Sequence, residues 1–331
     1  MTEKLNVLAT IKMNAEAKSR IEGVSPRIRL IDASDLARAE QEGDASAQEK
    51  LTALLAEADV IYGLRLPKDV VARSPKLKWI QVMAAGVDRY LTDEVKNSPV
   101  VVTSVSGIHA TPIGEFVLGL MLMFAKQSYL CFQLKQQRKW KPFSPGMLRG
   151  HTVGVIGLGS IGREVARLSK ALGMRVLAVR RSVKSAKRTR NVDVLFGPEG
   201  MPELLAESDY VVLALPLTSA TRQIIGEKEL RGMKPTACLI NIARGNVVDE
   251  KALIRALKEG WIAGVGLDVF AQEPLPFESP LWDLLNVIMS PHVAGGMEDY
   301  VDRTNDVFCH NLERYLNGQK LINVVNKKLG Y

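Results

Sequence analysis

Three polar residues in the C-terminal half of the sequence have side chains suited to the chemistry of a keto acid: Arg244, Glu273 and His292. An arginine can bind a carboxylate through two parallel hydrogen bonds or polarise a carbonyl. A histidine can donate or accept the proton of the carbonyl oxygen, and a glutamate can orient the imidazole and stabilise its cationic form. The three residue types together are sufficient to reduce a keto acid if a hydride donor binds beside them.

Each of these residues also has a purely structural interpretation. Arg244 could cap a helix, Glu273 could be a turn residue before a proline, and His292 could be a hydrogen-bonded group in a loop bounded by proline. However, each one follows an apolar run that predicts a strand. Ligands of open α/β sheets bind beyond the carboxyl ends of the strands. We therefore expect all three side chains to face one crevice, and their combination favours a catalytic site.

The segment Thr152–Gly162 matches the dinucleotide-binding pattern G-x-G-x-x-G between a predicted strand and a predicted helix. Gly157 permits the tight turn, Gly159 lets the backbone approach a pyrophosphate, and Gly162 lets the helix pack closely on the strand. The helix N-terminus offers N–H groups to the anion. A second apolar strand at Met174–Val179 follows at the spacing of a βαβ unit. The predicted cofactor-binding residues of this loop are Gly157, Leu158, Gly159, Ser160, Ile161 and Gly162.

The residues after the second strand predict which dinucleotide binds. An NAD site usually has an acidic residue here for the ribose 2′-OH, whereas an arginine accommodates the 2′-phosphate of NADP. The chain has Arg180 and Arg181 at this point, so we predict that NADP(H) is preferred and that NAD(H) remains possible. The six basic residues of this segment, among which there is no acid, are Arg180, Arg181, Lys184, Lys187, Arg188 and Arg190. A solvated basic loop is the alternative for residues 184–190, but it leaves the absence of an acid at position 180 unexplained.

Composition limits the class of protein. With 331 residues, 47% hydrophobic and 24% charged, the chain is typical of a globular protein with two domains. No apolar run approaches the roughly 20 residues of a membrane span, and the N-terminus lacks the apolar core of a signal peptide, so we predict a cytoplasmic protein. The net charge of +8 is concentrated near the cofactor loop without a nucleic-acid-binding motif, so no nucleic-acid partner is predicted. No metal site is predicted, and three scattered cysteines are expected to be reduced and structural: Cys131, Cys238 and Cys309.

Alternating strand and helix patterns predict an α/β protein with two doubly wound parallel sheets. Strands are predicted at 5–11, 28–31, 60–62, 79–83 and 100–103, with helices at 45–58 and 67–74. A long helix over 111–137 leads into the second domain, whose later strands are predicted at 210–215, 237–242, 264–269 and 287–289. A last helix over 297–317 most simply completes the first domain. The predicted domains are residues 1–104 with 296–331, and residues 105–295.

At several motifs, taken in order, the sequence resembles the D-isomer-specific 2-hydroxyacid dehydrogenases. The matching segments are Ala84–Asp88, Gly157–Gly162, Leu215–Thr221, Asn241–Asp249, Gly266–Leu275 and Ser290–Gly295. The resemblance implies a Rossmann cofactor domain inserted into a flavodoxin-like substrate domain. It also implies a cleft that closes on hinges and a homodimer formed largely through the cofactor domains.

The resemblance further implies roles for individual residues. It makes Arg244, Glu273 and His292 the catalytic set and assigns the substrate carboxylate to backbone N–H groups of Ala85, Gly86 and Val87. Asp268 is expected near the nicotinamide amide. The other implied cofactor contacts are Leu215, Pro216, Thr221, Ile242, Ala243, Arg244, His292 and Gly295.

Three further residues are weaker candidates. Arg65 follows a strand of the substrate domain, so it could select an acidic substrate or be an ordinary surface arginine. Trp140 resembles a tryptophan that in some relatives reaches the partner's active site, and its alternative is an interface or core aromatic. His109, at the start of the long helix, is interpreted as structural.

The expected activity is reduction of a 2-keto acid to the D-2-hydroxy acid with NADPH, as in glyoxylate/hydroxypyruvate reductases. Glu273 argues against the similar formate dehydrogenases, which pair the histidine with glutamine. No regulatory domain follows the final helix, which argues against the longer phosphoglycerate dehydrogenases. Two alternatives on the same fold stay open, a dinucleotide-sensing corepressor-like binding protein and a phosphite dehydrogenase. The sequence does not name the substrate.

Overall fold

The computed structural model describes residues 4–331. The strands, in chain order, are β1 (Leu5–Ala9), β2 (Ile28–Asp32), β3 (Val60–Gly63), β4 (Trp79–Val82), β5 (Val101–Thr103), β6 (Thr152–Ile156), β7 (Arg175–Val179), β8 (Lys187–Thr189), β9 (Val192–Phe196), β10 (Tyr210–Leu213), β11 (Cys238–Asn241), β12 (Gly264–Leu267) and β13 (Val287–Met289). The α-helices are α1 (Ala15–Gly23), α2 (Ser34–Gln41), α3 (Ala45–Leu55), α4 (Asp93–Asn97), α5 (Ala110–Ala125), α6 (Ser128–Gln136), α7 (Ser160–Ala171), α8 (Met201–Glu207), α9 (Glu227–Arg231), α10 (Glu250–Glu259) and α11 (Tyr300–Leu316).

The chain forms two compact units. We call residues 4–108 with 297–331 the outer unit, and residues 109–296 the inserted unit. The predicted boundaries, 104/105 and 295/296, lie four residues and one residue before the observed divisions at 108/109 and 296/297.

The sheet of the outer unit has five parallel strands in the order β2-β1-β3-β4-β5. This is the flavodoxin-like order. The central strands β3 and β4 are buried along their whole length, as expected for a parallel sheet covered on both faces. Helices α1 and α3 begin where the side chains of Asn14 and Asp44 accept hydrogen bonds from first-turn N–H groups.

The helix predicted over residues 67–74 is wrong. This segment forms turns, and Asp69 has a φ of 48°, which a right-handed helix cannot contain. The Arg73 guanidinium donates to Glu40 Oε1 at 2.7 Å and to Thr52 Oγ1 at 2.8 Å. These tertiary hydrogen bonds hold the segment against α2 and α3 in a conformation that its apolar pattern does not predict.

The C-terminal helix α11 belongs to the outer unit. The rings of Tyr62 and Phe308 stack with centroids 4.1 Å apart, and Phe308 also contacts Trp79. Buried polar groups accompany this apolar contact, because Asn311 Nδ2 donates to Gln81 Oε1 at 3.1 Å. The apolar area and the paired amides together bind the helix to the sheet.

The sheet of the inserted unit has eight strands in the order β13-β12-β11-β10-β6-β7-β9-β8. All neighbours are parallel except β8 and β9. Strand β6 lies between β7 and β10, so the order reverses direction there as in a Rossmann fold. The predicted fold class, two parallel α/β sheets, is confirmed.

Two local predictions in the inserted unit were incomplete. The helix predicted over 111–137 is two helices, α5 and α6, because Gln127 between them has a left-handed φ of 51°. The antiparallel strand β8 at the sheet edge was not predicted. No single helix between residues 4 and 331 is long and apolar enough to cross a membrane, whereas α5 and α6 pass that test only as a pair bent by 62°.

Candidate active site

The turn between β6 and α7 has the geometry that its glycines predict. Gly157 has a φ of 102°, and a Cβ there would lie 2.4 Å from the carbonyl oxygen of Ala214. A Cβ on Gly159 would meet no atom of the described chain within 4 Å, so the space above this residue is open. Gly159 is also the N-cap of α7 and has no side chain to bind the N–H groups of the first turn. The loop therefore fits a dinucleotide pyrophosphate, which would occupy that space and accept from those N–H groups.

The basic segment follows β7, so it begins at the carboxyl ends of the strands, as the turn after β6 does. Its backbone is fixed at the start, where Arg180 N donates to Phe196 O at 3.0 Å and Val183 N donates to Arg180 O at 3.1 Å. The six basic side chains are exposed. Lys187 and Arg188 belong to β8, and Arg188 lies 3.7 Å from Asp193. Residues 187–189 therefore form an edge strand rather than a loop, in which Lys187 and Thr189 pair with Leu195 and Val192 of β9. A solvated basic segment stays open as the alternative to a phosphate site.

Two other predicted cofactor segments follow β10 and β11. After β10, Thr221 Oγ1 donates to Pro216 O at 2.6 Å and accepts from Thr218 N at 2.8 Å, which closes a turn that begins at Leu215. After β11 come the buried residues Ile242 and Ala243. Both segments lie at the carboxyl ends of strands on one side of β6, because β10 pairs with β6 and β11 pairs with β10, and a nucleotide site uses these strand ends.

Asn241, the last residue of β11, shapes the turn that presents Arg244. Its Oδ1 accepts from Ala243 N at 3.0 Å, and its Nδ2 donates to Arg244 O at 3.0 Å. The Arg244 guanidinium donates to Ala243 O at 2.8 Å and is half-buried. Sequence reasoning named Asn241 only as part of a motif. Its buried amide, which bonds on both sides of the turn, makes it a positioning residue for Arg244.

Close backbone packing joins the Arg244 turn to the loop that carries Glu273. A Cβ on Gly245 would lie 1.8 Å from the carbonyl carbon of Phe270, so only glycine fits at this position. Phe270 N in turn donates to Glu273 Oε1 at 3.1 Å. The loops after β11 and β12 are thus in direct contact, and one oxygen of Glu273 is held by the backbone.

The other oxygen of Glu273 binds the predicted catalytic histidine. His292 Nδ1 lies 2.8 Å from Glu273 Oε2, and the imidazole is 48% exposed. In this geometry the carboxylate fixes the orientation of the ring and leaves Nε2 for a ligand. The structure therefore brings Glu273 and His292 into contact and places Arg244 at the end of the neighbouring strand β11.

Asp268 holds the loop that contains His292. Its Oδ1 accepts from Ser290 Oγ at 2.7 Å and from Val293 N at 2.8 Å, and its Oδ2 accepts from Ala294 N at 3.0 Å. Its backbone carbonyl accepts from His292 N at 2.9 Å. Asp268 is only 2% exposed. Three of the roughly four acceptor positions of its carboxylate are therefore used by the protein itself.

His109 packs beneath the end of the same loop. A Cβ on Gly295 would lie 2.9 Å from His109 Cδ2, so the imidazole occupies the space that a side chain at position 295 would need. Burial lowers the pKa of His109, which keeps the ring neutral at neutral pH. Its position at the start of α5 agrees with the structural interpretation of this residue.

In the outer unit, the predicted carboxylate loop follows β4. Its ends are fixed, because Met83 N donates to Gly63 O at 3.0 Å and Tyr90 N donates to Val87 O at 2.9 Å. Within residues 4–331 no acceptor pairs with the backbone N–H groups of Ala85, Gly86 and Val87. Three successive N–H donors in a half-buried loop form a suitable site for a carboxylate.

Two tyrosines that sequence reasoning did not identify support this loop. The hydroxyl of Tyr300, in the first turn of α11, donates to Met83 O, and the hydroxyl of Tyr90 donates to Leu64 O. Burial raises the pKa of Tyr300, so its hydroxyl stays protonated and remains a donor. These bonds connect residues 217 and 26 positions apart in the chain.

The weaker sequence candidates have different surroundings. Arg65 is exposed, and its Nη1 donates to Gln41 Oε1 at 3.1 Å, so within the outer unit it contacts α2. Trp140 is 98% exposed, so the alternative of a core aromatic is wrong. The cysteines form no disulfide with one another, and burial raises the pKa of Cys238 to about 12, as expected for a structural thiol.

Comparison with known proteins identifies the family. Residues 118–294 match the sequence profile described as "D-isomer specific 2-hydroxyacid dehydrogenase, NAD binding domain", which spans more than half of the chain. The chain belongs to this family. As a member of the D-2-hydroxyacid dehydrogenases it is an NAD(P)-dependent oxidoreductase, and the resemblance inferred from the sequence motifs is confirmed.

Named relatives and solved structures agree with the family assignment. Glyoxylate reductases of Korarchaeum cryptofilum and Thermococcus gammatolerans are each 38% identical, over 79% and 80% of this chain and 80% and 81% of their own length. A D-isomer specific 2-hydroxyacid dehydrogenase from Xanthobacter autotrophicus, solved with NADPH, is 30% identical with a TM-score of 0.84 over the full length of both chains. An NADPH-dependent glyoxylate/hydroxypyruvate reductase from Sinorhizobium meliloti, solved with NADP, is 28% identical with a TM-score of 0.84 over 99% of this chain and 100% of its own.

Proposed function

We propose that this dehydrogenase reduces small 2-keto acids, glyoxylate and hydroxypyruvate first among them, to 2-hydroxy acids with NADPH, and that chiral products have the D configuration. The observation that carries the proposal is the contact of 2.8 Å between His292 and Glu273. It lies at the carboxyl ends of the strands, where Arg244 also lies after β11. The names of the relatives add the substrate class, because they are glyoxylate and glyoxylate/hydroxypyruvate reductases.

Each catalytic residue has a definite task in this proposal. The bound nicotinamide supplies the hydride. Arg244 binds the carboxylate of the keto acid and polarises its carbonyl. The role of the N–H groups of residues 85–87 in carboxylate binding remains a prediction from the sequence. The protonated His292 donates a proton to the nascent alkoxide. Glu273 stabilises the imidazolium form of His292, so the proton donor is present when the substrate binds.

The preference for NADPH rests on Arg180 and Arg181. A guanidinium can bind the 2′-phosphate, and the acidic residue that would repel it is absent from this position. The open space at Gly159 and the uncapped start of α7 support pyrophosphate binding with either dinucleotide. Asp268, Leu215, Pro216, Thr221, Ile242, Ala243 and Gly295 remain predicted cofactor contacts.

A homodimer through the inserted unit is also proposed. Several large apolar side chains of this unit are strongly exposed, and a partner subunit would cover some of them; they include Phe132, Trp140, Met147, Phe277 and Leu285. The role of Trp140 at a partner's active site and the cytoplasmic location remain predictions. Sedimentation of the purified protein measures the oligomeric state directly.

A substrate panel tests the proposed activity. Glyoxylate, hydroxypyruvate, pyruvate, phenylpyruvate and 2-ketoisocaproate are each assayed with NADPH and with NADH, and phosphite is assayed with NADP and NAD. The expected result is the highest kcat/KM for glyoxylate or hydroxypyruvate with NADPH. Tight NADPH binding without turnover of any keto acid would instead support a dinucleotide-sensing binding protein, and phosphite oxidation would reassign the reaction.

A further inference from the structure

The backbone of His292 has an unusual conformation that the surrounding structure must maintain. Its φ is 56°, in the left-handed region that residues with a side chain rarely adopt. Such a conformation persists when neighbouring contacts determine it. In this loop the conformation orients the imidazole toward Glu273 at 2.8 Å. The groups that impose it therefore also determine the geometry of the proton donor.

Those groups converge on Asp268. Val293 N and Ala294 N, on the C-terminal side of His292, donate to the two oxygens of the carboxylate at 2.8 and 3.0 Å. On the N-terminal side, Ser290 Oγ donates to Oδ1 at 2.7 Å. The carboxylate thus binds the loop on both sides of the histidine, and the buried position of Asp268 keeps water from replacing these bonds.

We propose that Ser290 is a positioning residue for the reaction, which acts by orienting the Asp268 carboxylate so that the loop holds His292 against Glu273. The hydroxyl fixes the rotation of the carboxylate about its last bond, and this rotation decides whether both oxygens can meet the two backbone N–H groups. Ser290 contacts neither substrate nor cofactor in this role. The inference rests on the proposed function only for its effect on turnover, because the loop geometry itself can be measured without substrate.

The test compares Ser290→Ala, Ser290→Thr and the control Ser208→Ala. Ser208 is a buried serine of the same unit whose hydroxyl donates to Leu204 O of α8 at 2.6 Å rather than to residues 290–296. Proton–carbon NMR of histidine labelled at Cε1 records the chemical shifts of the four imidazoles at one fixed pH, and His292→Asn identifies the His292 signal. Glu273→Gln gives the chemical shift of His292 when the carboxylate is absent.

For Ser290→Ala we expect the His292 chemical shift to move toward that of Glu273→Gln, because the imidazole loses part of its contact with the carboxylate. The kcat for the best keto acid should fall about 10-fold, a part of the roughly 10²-fold or greater contribution of a positioned proton donor. Ser290→Thr should restore both values, since it keeps the hydroxyl. Ser208→Ala should lower the melting temperature and leave the His292 chemical shift and kcat unchanged.

Two results would overturn the proposal. One is a Ser290→Ala variant with the wild-type His292 chemical shift and kcat and only a lowered melting temperature. The other is a variant with wild-type kcat at saturating NADPH and a raised Kd for NADPH, since that would assign Asp268 and Ser290 to cofactor binding alone. If the wild type reduces no keto acid, the proposed function fails, whereas the NMR chemical shifts still decide whether Ser290 positions His292.

Discussion

The loop after β13 and the segment after β7 both follow strands of one sheet, but the chain holds them in different ways. In the catalytic loop, residues 290–296, four hydrogen bonds return to the single residue Asp268. In the basic segment, residues 180–190, the backbone is anchored at Arg180 while the cationic side chains are exposed.

The difference separates two kinds of functional residue. A loop closed by its own hydrogen bonds has its geometry before any ligand binds, so we expect substitutions there to change the chemical step. Exposed arginine and lysine side chains can change conformation when they meet a phosphate, so substitutions there should change affinity and its dependence on salt. The predictions below test this separation.

The largest expected effect is that of His292→Asn. Asparagine cannot donate a proton of suitable acidity, so kcat for keto-acid reduction should fall about 10²-fold or more, the usual contribution of positioned proton transfer. The Kd for NADPH, measured by fluorescence titration, and the melting temperature should stay close to the wild-type values, because the side chain is half-exposed. A variant with wild-type kcat under conditions where chemistry is rate-limiting would remove His292 from the mechanism.

The second prediction concerns Arg180→Asp on the other side of the comparison. Loss of one charged hydrogen-bond partner costs about 1.5–3 kcal/mol, and the new carboxylate also repels the 2′-phosphate. We therefore expect kcat/KM with NADPH to fall at least about 10-fold, while kcat/KM with NADH is unchanged or rises. The wild-type preference for NADPH should weaken as ionic strength increases.

Lys228→Asp is the matched control for this experiment, because it makes the same change of charge at an exposed position on α9. It should leave the cofactor preference intact. Equal kcat/KM with NADPH and NADH in the wild type at low salt would show that the basic segment is only solvated, and the NADP assignment would be withdrawn.

The parts of the site that the sequence predicts are those whose signal is local. The pattern around Gly157 and Gly159 predicts the nucleotide loop because the strand, the turn and the helix are contiguous in the sequence. The candidate catalytic residues could be placed at one end of the strands because each one follows a parallel strand, and parallel strands end on the same side of a sheet. The two sheets and the family followed from these motifs.

The supporting contacts could not be predicted, because they join residues far apart in the chain. Ser290 and Asp268 are 22 positions apart, and Tyr300 and Met83 are 217 apart. The turns at 67–74 depend on bonds from Arg73 to α2 and α3, and these override an apolar pattern that is typical of a helix. The helix break at Gln127 has neither glycine nor proline to mark it.

The third prediction concerns the pH–rate profile of Glu273→Gln. Glutamine keeps the shape of the side chain but removes the negative charge 2.8 Å from His292 Nδ1. The imidazolium is then less stable, so the rate of reduction should begin to fall at a lower pH than in the wild type. Steady-state kcat measured from pH 5 to pH 9 checks this expectation, and an unchanged profile would refute the stabilising role of Glu273.

The smallest expected effect comes from replacing His109, whose imidazole packs against Gly295 in the catalytic loop. Burial lowers the pKa of His109 from the ordinary value of 6.5. The unfolded chain therefore binds more protons than the native protein as the pH falls through 6.5 toward the lowered native value, and the stability of the fold decreases over this range. Replacing His109 with a residue that cannot be protonated should remove this part of the pH dependence of the stability.

The experiment measures the melting temperature of wild type, His109→Gln and His310→Gln between pH 7.5 and pH 5.5. For His109→Gln we expect the drop over this range to be smaller than that of the wild type, by on the order of 2 °C. His310 is exposed on α11, so its replacement should leave the wild-type slope. If both variants lose stability with pH as the wild type does, His109 is not a source of the acid sensitivity, and the packing beneath Gly295 tolerates a charged imidazole.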